Sequence, residues 1–150
     1  MIKTAHSVAE LRNITEEILR KIARTRTADQ ATVVGISGDL GAGKTAFVKC
    51  AADILGIQET ITSPTFILEK IYTISKNPIF GERFSRFIHI DAYRLESGNE
   101  MHALDWGTII HDPQNIIFIE WPEQVAEVMP QETFSLFFEY VDEHTRNITF

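Results

Sequence analysis

The chain has 150 residues and a formal net charge of −7 at pH 7, from 14 Lys and Arg against 21 Asp and Glu. This length is enough to bury a core, which excludes disorder and a dependence on disulfides as defaults, and the one cysteine, Cys50, cannot form an internal disulfide. The acidic balance argues against autonomous binding to DNA or RNA, because such binding depends on basic groups that displace counterions.

Membrane association is not expected either. The sequence contains no run of about 18 apolar residues that could form a membrane span. Residues 1–6 lack the long apolar stretch of a secretory signal. Together these observations predict a cytoplasmic protein.

The first half of the chain alternates between predicted strands and helices. Its elements are, in order, a strand at residues 2–5, a helix at 7–24, a strand at 31–37, a helix at 44–55 and a strand at 66–74. Ser7 and Glu10 are predicted to form a capping box at the start of the first helix. Gly56 stands where the second helix needs a C-terminal cap.

The second half is richer in strands. Its elements are a strand at residues 84–90, short helices at about 99–105 and 106–110, a strand at 116–119, and strands at 133–141 and 145–150. Strands that alternate with helices indicate an α/β fold, here a single domain over residues 1–150 with a mostly parallel central sheet flanked by helices. The terminal strands are expected to add antiparallel pairs.

The strongest chemical signal is the segment Gly38–Thr45, which has the complete pattern G-x-x-x-x-G-K-T between a predicted strand and a helix. Its glycines allow the main chain to approach a phosphate closely, so that successive N–H groups converge on the oxygens at the positive end of a helix. Lys44 is expected to place its charge on the β- and γ-phosphates, and Thr45 to offer a hydroxyl to Mg²⁺. The pattern predicts a P-loop NTPase.

The nucleotide is predicted to be ATP. GTPases of this class read guanine with an Asn/Thr-Lys-x-Asp sequence, and the chain has none. Small nucleotide kinases usually supply several arginines around the phosphates, whereas Arg94 is the only arginine between Arg86 and Arg146. A small-molecule kinase therefore remains an alternative, as does a binding module in which ATP fixes a loop for a partner without essential turnover.

Two acidic residues end apolar strands. Asp91 follows residues 87–90 and Glu120 follows residues 116–119. Ligands of open α/β sheets bind at the carboxyl ends of strands, and Mg²⁺ prefers carboxylate oxygens, so both acids are candidates for the site. Asp91 belongs to the pattern H-x-D-x-Y-R, in which His89 would point to the same side of the strand.

Two segments beside these acids are further candidates. Trp121-Pro122 follows Glu120 directly and either walls the nucleotide site or packs the end of the strand. Ser63–Thr65 lies where many phosphate-loop enzymes keep a segment that senses the γ-phosphate, with Thr65 offering a hydroxyl.

The set G-D-L-G-A-G-K-T, S-P-T-F, H-I-D-A-Y-R and I-E-W-P, in this order and spacing, closely resembles the TsaE (formerly YjeE) family. The resemblance covers nearly the whole chain. It implies a small α/β ATPase, weakly active alone, that is required for making threonylcarbamoyladenosine in tRNA. It also implies that the protein docks on the TsaD–TsaB transferase, resets that complex by hydrolysing ATP, and meets tRNA only through it.

The resemblance also implies roles for the matching residues. The nucleotide would be held by Gly41, Ala42, Gly43, Lys44, Thr45, Thr65, Trp121 and Arg146, with Arg146 close to the adenine. Lys44, Asp91 and Glu120 would be catalytic, and Thr45 and Glu120 would bind Mg²⁺. Where the family usually has Gly-Arg, this chain has Thr145-Arg146.

Overall fold

The computed structural model describes residues 1–25, 29–62 and 68–150. The strands are β1 (Ile2–Ala5), β2 (Thr32–Gly38), β3 (Glu69–Thr73), β4 (Arg86–Asp91), β5 (Asn115–Glu120), β6 (Phe134–Tyr140) and β7 (Arg146–Thr149). The α-helices are α1 (Val8–Arg24), α2 (Lys44–Ile54) and α3 (Trp106–Ile110), with 3-10 helices at Gly98–Leu104 and Pro122–Val128.

All seven strands belong to one sheet, in the order β1-β7-β6-β2-β5-β4-β3. The central strands β6, β2, β5 and β4 pair in parallel, and the three outer pairings are antiparallel. The predicted α/β class is confirmed, but the sheet is mixed rather than mostly parallel. The reason is connection length, because the short link at residues 141–145 allows β6 and β7 only a hairpin, whereas a parallel pair needs a crossover.

The first helix begins as the sequence predicts, with one difference. The Ser7 hydroxyl accepts the Glu10 N–H at 3.2 Å, which caps α1. The Glu10 carboxylate reaches back to the N–H of His6, at 2.8 Å, and not to that of Ser7 as in a standard capping box. The buried stripe of α1, which includes Leu11 and Ile18, packs against α2.

Each face of the sheet has its own apolar layer. On one side α1 and α2 cover an aromatic cluster in which the Phe47 ring lies 5.8 Å from Phe118 and 5.4 Å from Phe138. On the other side α3 and the 3-10 helices cover a second cluster that includes Met101 and Trp106. The carboxyl ends of β2, β4 and β5 meet at the edge of the sheet where α2 begins.

The remaining differences from the sequence prediction lie in the connections. The strand predicted at residues 66–74 is observed at Glu69–Thr73, and residues 66 and 67 lie outside the described part of the chain. The segment at 99–105 forms a 3-10 helix, and a second one at Pro122–Val128 was not predicted. Among the helices of the described residues, none combines the length and the apolar character needed to cross a membrane.

The first and last strands close the sheet at one edge. β1 and β7 pair antiparallel, with Ile2 opposite Thr149. Beyond that pair, the amino group of Met1 donates to the carbonyl of Phe150 at 2.7 Å, and the N–H of Phe150 donates back to the carbonyl of Met1 at 2.9 Å. Strand β1 therefore depends on the far end of the chain for its pairing.

One acidic side chain in the sheet makes stability depend on pH. Burial raises the pKa of Glu69 to about 6, and the nearby charge of Asp105 adds to the rise. Glu69 Oε2 has no hydrogen-bond partner among the described residues. Because the folded pKa exceeds the unfolded one, the free energy of unfolding falls as pH rises from about 4.5 through 6.

Glu69→Gln should remove this penalty and raise the melting temperature at pH 8 but not at pH 4. We expect a gain of about 1 kcal/mol or less, since solvent screens the half-buried carboxylate, which corresponds to roughly 2–4 °C. Thermal unfolding of wild type and variant at both pH values measures it, with the exposed Glu132→Gln as the control. Equal gains for Glu69→Gln at both pH values would contradict the assignment.

Candidate active site at the glycine-rich loop

The loop Gly38–Thr45 joins the end of β2 to the start of α2 and turns at glycines in left-handed conformations. Gly38 has a φ of +135° and Gly43 a φ of +102°. A Cβ on Gly38 would lie 2.2 Å from the main-chain oxygen of Phe138 on β6, so only glycine fits there. Gly43 is the N-cap of α2 and offers no side-chain acceptor, which leaves the first turn of the helix free to bind an anion.

Lys44 folds back onto its own loop. Its Nζ donates to the carbonyl oxygens of Gly38, at 2.5 Å, and Asp39, at 2.7 Å, and lies 4.3 Å from the ring centroid of Trp121. Burial lowers the pKa of Lys44, and nearby carboxylates, chiefly that of Glu120, oppose the shift. The lysine is thus held at the loop by main-chain oxygens and an aromatic face.

The two acids predicted at strand ends are the last residues of neighbouring parallel strands. Asp91 and Glu120 stand opposite each other in the β4–β5 register and are 8% and 3% exposed. The Thr45 hydroxyl donates to Glu120 Oε1 at 3.0 Å. Burial raises the pKa of Asp91, while the hydrogen bond from the Tyr93 N–H to Asp91 Oδ1, at 3.0 Å, opposes the rise.

His89 is a site residue that the sequence analysis noted without giving it a role. It is wholly buried, and its Nε2 lies 2.6 Å from Glu120 Oε2. The signal was present in the pattern H-x-D-x-Y-R, because the period of two in a strand places His89 and Asp91 on one face. The sequence pattern does not show that β5 lies beside β4, and the contact of His89 with Glu120 depends on that pairing.

Most of the predicted site residues line one cleft of about 350 Å³. The predicted site residues that line this cleft are Gly41, Gly43, Lys44, Thr45, Asp91, Glu120 and Trp121. Tyr93 and Arg94 of the H-x-D-x-Y-R pattern line it as well. Ala42 does not, because it is fully buried beneath the loop with its N–H donating to Asp39 O at 3.1 Å. Ser63–Thr65 lie outside the described residues.

Arg146 lines a second cavity, of about 220 Å³, which meets the first at Gly43 and Ala46. Its guanidinium lies 4.5 Å from the ring centroid of Tyr140. One terminal nitrogen donates to the carbonyl oxygens of Asp142, at 2.5 Å, and Thr145, at 2.9 Å. Arg146 is therefore beside the cleft and fixed in place, separated from the acids by the loop.

Trp121 holds a left-handed backbone conformation, with a φ of +61°, which is unusual for a bulky residue. The main-chain N–H of Trp121 donates to the carbonyl of Ile36 at 3.1 Å, which holds the residue at the end of β2. Its ring packs 5.0 Å from that of Tyr93. Strain of this kind persists only where the surroundings impose it, and here it turns the indole towards Lys44.

The side chains between the loop and the sheet suit a hard divalent cation. Thr45 and Glu120 present a hydroxyl and a carboxylate in contact, and Asp91 ends the next strand. Within the described ranges, no three His, Cys, Asp or Glu side chains form a metal-binding group. This donor set fits Mg²⁺, which commonly takes one or two protein ligands and completes its shell with water and phosphate oxygens.

Comparisons with known proteins agree with one another. A family model described as threonylcarbamoyl adenosine biosynthesis protein TsaE matches residues 6–148. The tRNA threonylcarbamoyladenosine biosynthesis protein TsaE of Bacillus subtilis (strain 168) is 33% identical over 141 residues, which cover 93% of this chain and 82% of that protein. The protein of the same name from Treponema pallidum (strain Nichols) is 36% identical over 124 residues, which cover 83% of this chain and 84% of that protein. The crystal structure of YdiB from Bacillus subtilis is similar over 99% of this chain and 82% of that one, with a TM-score of 0.70 and 25% identity.

Gly38→Ala should lower the free energy of unfolding by roughly 2–4 kcal/mol, because the new Cβ collides with the main chain of β6 and the positive φ adds strain. Gly41→Ala is the matched control, since its φ is also positive but the space around it is open, so it should cost only about 1 kcal/mol. Urea unfolding measures both. Equal losses would show that backbone strain alone, and not the close approach to Phe138, requires Gly38.

Proposed function

The chain belongs to the TsaE family of threonylcarbamoyl adenosine biosynthesis proteins, and from this we propose that it is a Mg²⁺-dependent ATPase of that pathway. The family places it in the biosynthesis of tRNA threonylcarbamoyladenosine. The observation that carries the ATPase proposal is the 3.0 Å contact of Thr45 with Glu120, residues 75 apart in the chain. It joins the glycine-rich loop to the acid at the end of β5, as binding of a metal and a phosphate together requires.

The phosphates are assigned to the loop. The main-chain N–H groups of residues 43–45 lie at the start of α2, where the helix dipole favours negative charge. Lys44 supplies the positive charge, and its present contacts with two carbonyl oxygens keep that charge at the loop. The open first turn of α2 and the neighbouring lysine support this assignment.

Mg²⁺ is assigned to Thr45 and Glu120, whose oxygens are already in contact. When bound, the ion would neutralise charge that develops on the phosphates. Asp91, on the adjacent strand, orients the attacking water or accepts its proton. Burial supports this role, because it raises the pKa of Asp91 and so makes the carboxylate a stronger proton acceptor.

The adenosine is assigned to the side of the loop away from the acids. The cavity that Arg146 lines opens there and meets the phosphate cleft at Gly43 and Ala46. The stacked guanidinium of Arg146 provides a flat cationic face for a nucleobase. Trp121 closes the other side of the cleft. Thr65, predicted to sense the γ-phosphate, stays a prediction.

The partners proposed for this activity are TsaD and TsaB. In that arrangement ATP hydrolysis resets the transferase between turnovers, and the chain reaches tRNA only through the complex. The acidic net charge of −7 supports indirect contact, because direct binding of tRNA calls for a basic surface.

Lys44→Ala should lower nucleotide affinity by about 10- to 150-fold, the equivalent of a charge-assisted contact worth about 1.5–3 kcal/mol. The control is Lys49→Ala, which removes an exposed lysine from the same helix and should leave affinity unchanged. Calorimetric titration with a non-hydrolysable ATP analogue measures both. Unchanged affinity in Lys44→Ala would overturn the phosphate-binding assignment.

The same variants test the pathway role in a mixture of TsaD, TsaB, tRNA and the enzyme that forms the carbamoyl donor. With wild type or Lys49→Ala and ATP, threonylcarbamoyladenosine should accumulate past one equivalent per complex. With Lys44→Ala, or without this chain, product should stop near one equivalent. Product that accumulates equally without the chain would overturn the resetting role and leave ATP binding to be judged by titration.

Glu120→Ala should reduce ATP hydrolysis at limiting Mg²⁺, with at least about a tenfold loss of apparent Mg²⁺ affinity, and excess Mg²⁺ should partly restore the rate. Glu132→Ala is the control, because that side chain is exposed and does not line the cleft. Steady-state hydrolysis across a Mg²⁺ series measures the effect. A loss that Mg²⁺ does not relieve would reassign Glu120 from metal binding to the positioning of water.

A further inference from the structure

We propose that His89 is a positioning residue that holds the Glu120 carboxylate in the orientation needed to bind the metal ion. The contact that carries this is the 2.6 Å hydrogen bond between His89 Nε2 and Glu120 Oε2. The role rests on the proposed function, because it presumes that Glu120 is a metal ligand. His89 itself lies behind the carboxylate and does not line the cleft.

The contact follows from strand register. β4 and β5 run parallel, with His89 opposite Phe118 and Asp91 opposite Glu120. The imidazole therefore reaches diagonally to Glu120, which lies two positions beyond its register partner Phe118 and on the same face of β5. His89 is 0% exposed and Glu120 3%, so this contact is shielded from solvent.

The two oxygens of Glu120 have different neighbours. Oε2 accepts the hydrogen bond from His89, and Oε1 is the oxygen nearer the Thr45 hydroxyl, at 3.0 Å against 3.3 Å for Oε2. His89 thereby anchors one oxygen from behind and leaves the other facing the loop. A ligand held in this way does not have to be ordered when the metal arrives, which favours binding.

The two ring nitrogens of His89 have different surroundings. The carboxylate accepts, so Nε2 carries the proton, and Nδ1 is buried with no hydrogen-bond partner among the described residues. A buried ring nitrogen without a partner carries a cost in free energy. The rest of β4 between Phe87 and Ile90 is apolar, and an apolar residue would pack there without this cost. The polar ring is therefore explained by its contact with Glu120 and not by packing.

Two substitutions of equal length separate positioning from packing. His89→Gln keeps an N–H donor near the place of Nε2, whereas His89→Met fills the same space without a donor. The affinity for Mn²⁺, measured by electron paramagnetic resonance in the presence of a non-hydrolysable ATP analogue, should fall about 10- to 100-fold in His89→Met. It should stay within about threefold of wild type in His89→Gln.

The affinity for the analogue without metal, measured with a chelator present, should be the same in all three proteins. Equal Mn²⁺ affinity in His89→Met and wild type would overturn the proposal. So would equal losses in both variants, or a parallel loss of metal-free affinity, since a structural defect has those effects. If His89→Met does not fold, His89→Asn replaces it, because its shorter amide does not reach Glu120.

A failure of the proposed function gives a different result in the same experiment. In that case wild type binds no Mn²⁺ with the analogue, and both proposals fall. If wild type binds the Mn²⁺ complex and His89→Met binds it equally well, only the positioning role is overturned. The Mn²⁺ affinity of wild type therefore tests the proposed function, and the Mn²⁺ affinities of the two His89 variants test the positioning role.

Discussion

The site depends on the parallel pairing of β2, β5 and β4. Parallel strands side by side end at the same edge, so three positions far apart in sequence, Gly38, Glu120 and Asp91, reach one place. Each pairing also fixes side-chain direction, because a slip of one residue would turn Glu120 and Asp91 to the opposite face of the sheet. The register of β2, β5 and β4 thus sets the distances between the loop and the two acidic side chains.

That arrangement places several charged and polar groups where water is scarce. Lys44 is 5% exposed, and it lies near the carboxylates of Glu120 and Asp91. Each group has a partner: main-chain oxygens for Lys44, the Tyr93 N–H for Asp91, and two side chains for Glu120. Pairing offsets the cost of burial, and the low local dielectric strengthens each contact. The apolar layers on both faces of the sheet keep these groups in register.

Sequence patterns predicted the parts of the site that depend on local chain order. The loop and the Thr45–Glu120 pair follow from a motif and from the rule that ligands lie at strand ends, and the structure brings them together. The place of His89 needed the strand order, and the cavity of Arg146 needed the antiparallel position of β7. The 3-10 helix after Trp121 was missed because a left-handed residue, rather than apolar periodicity, begins it.

The pairing of β1 with β7 has a consequence for the order of folding. Ile2 of β1 pairs with Thr149 of β7, so this pairing closes a longer loop of chain than any other pairing in the sheet. Contacts of such long sequence separation are formed slowly, whereas α1 and the central strands have partners nearer in the chain. The β1 edge of the sheet therefore has the largest entropic cost of loop closure among the strand pairings. Because β1 pairs with no strand other than β7, a substitution that weakens β7 would release β1 from the sheet. The contacts between β1 and α1 would then be lost as well.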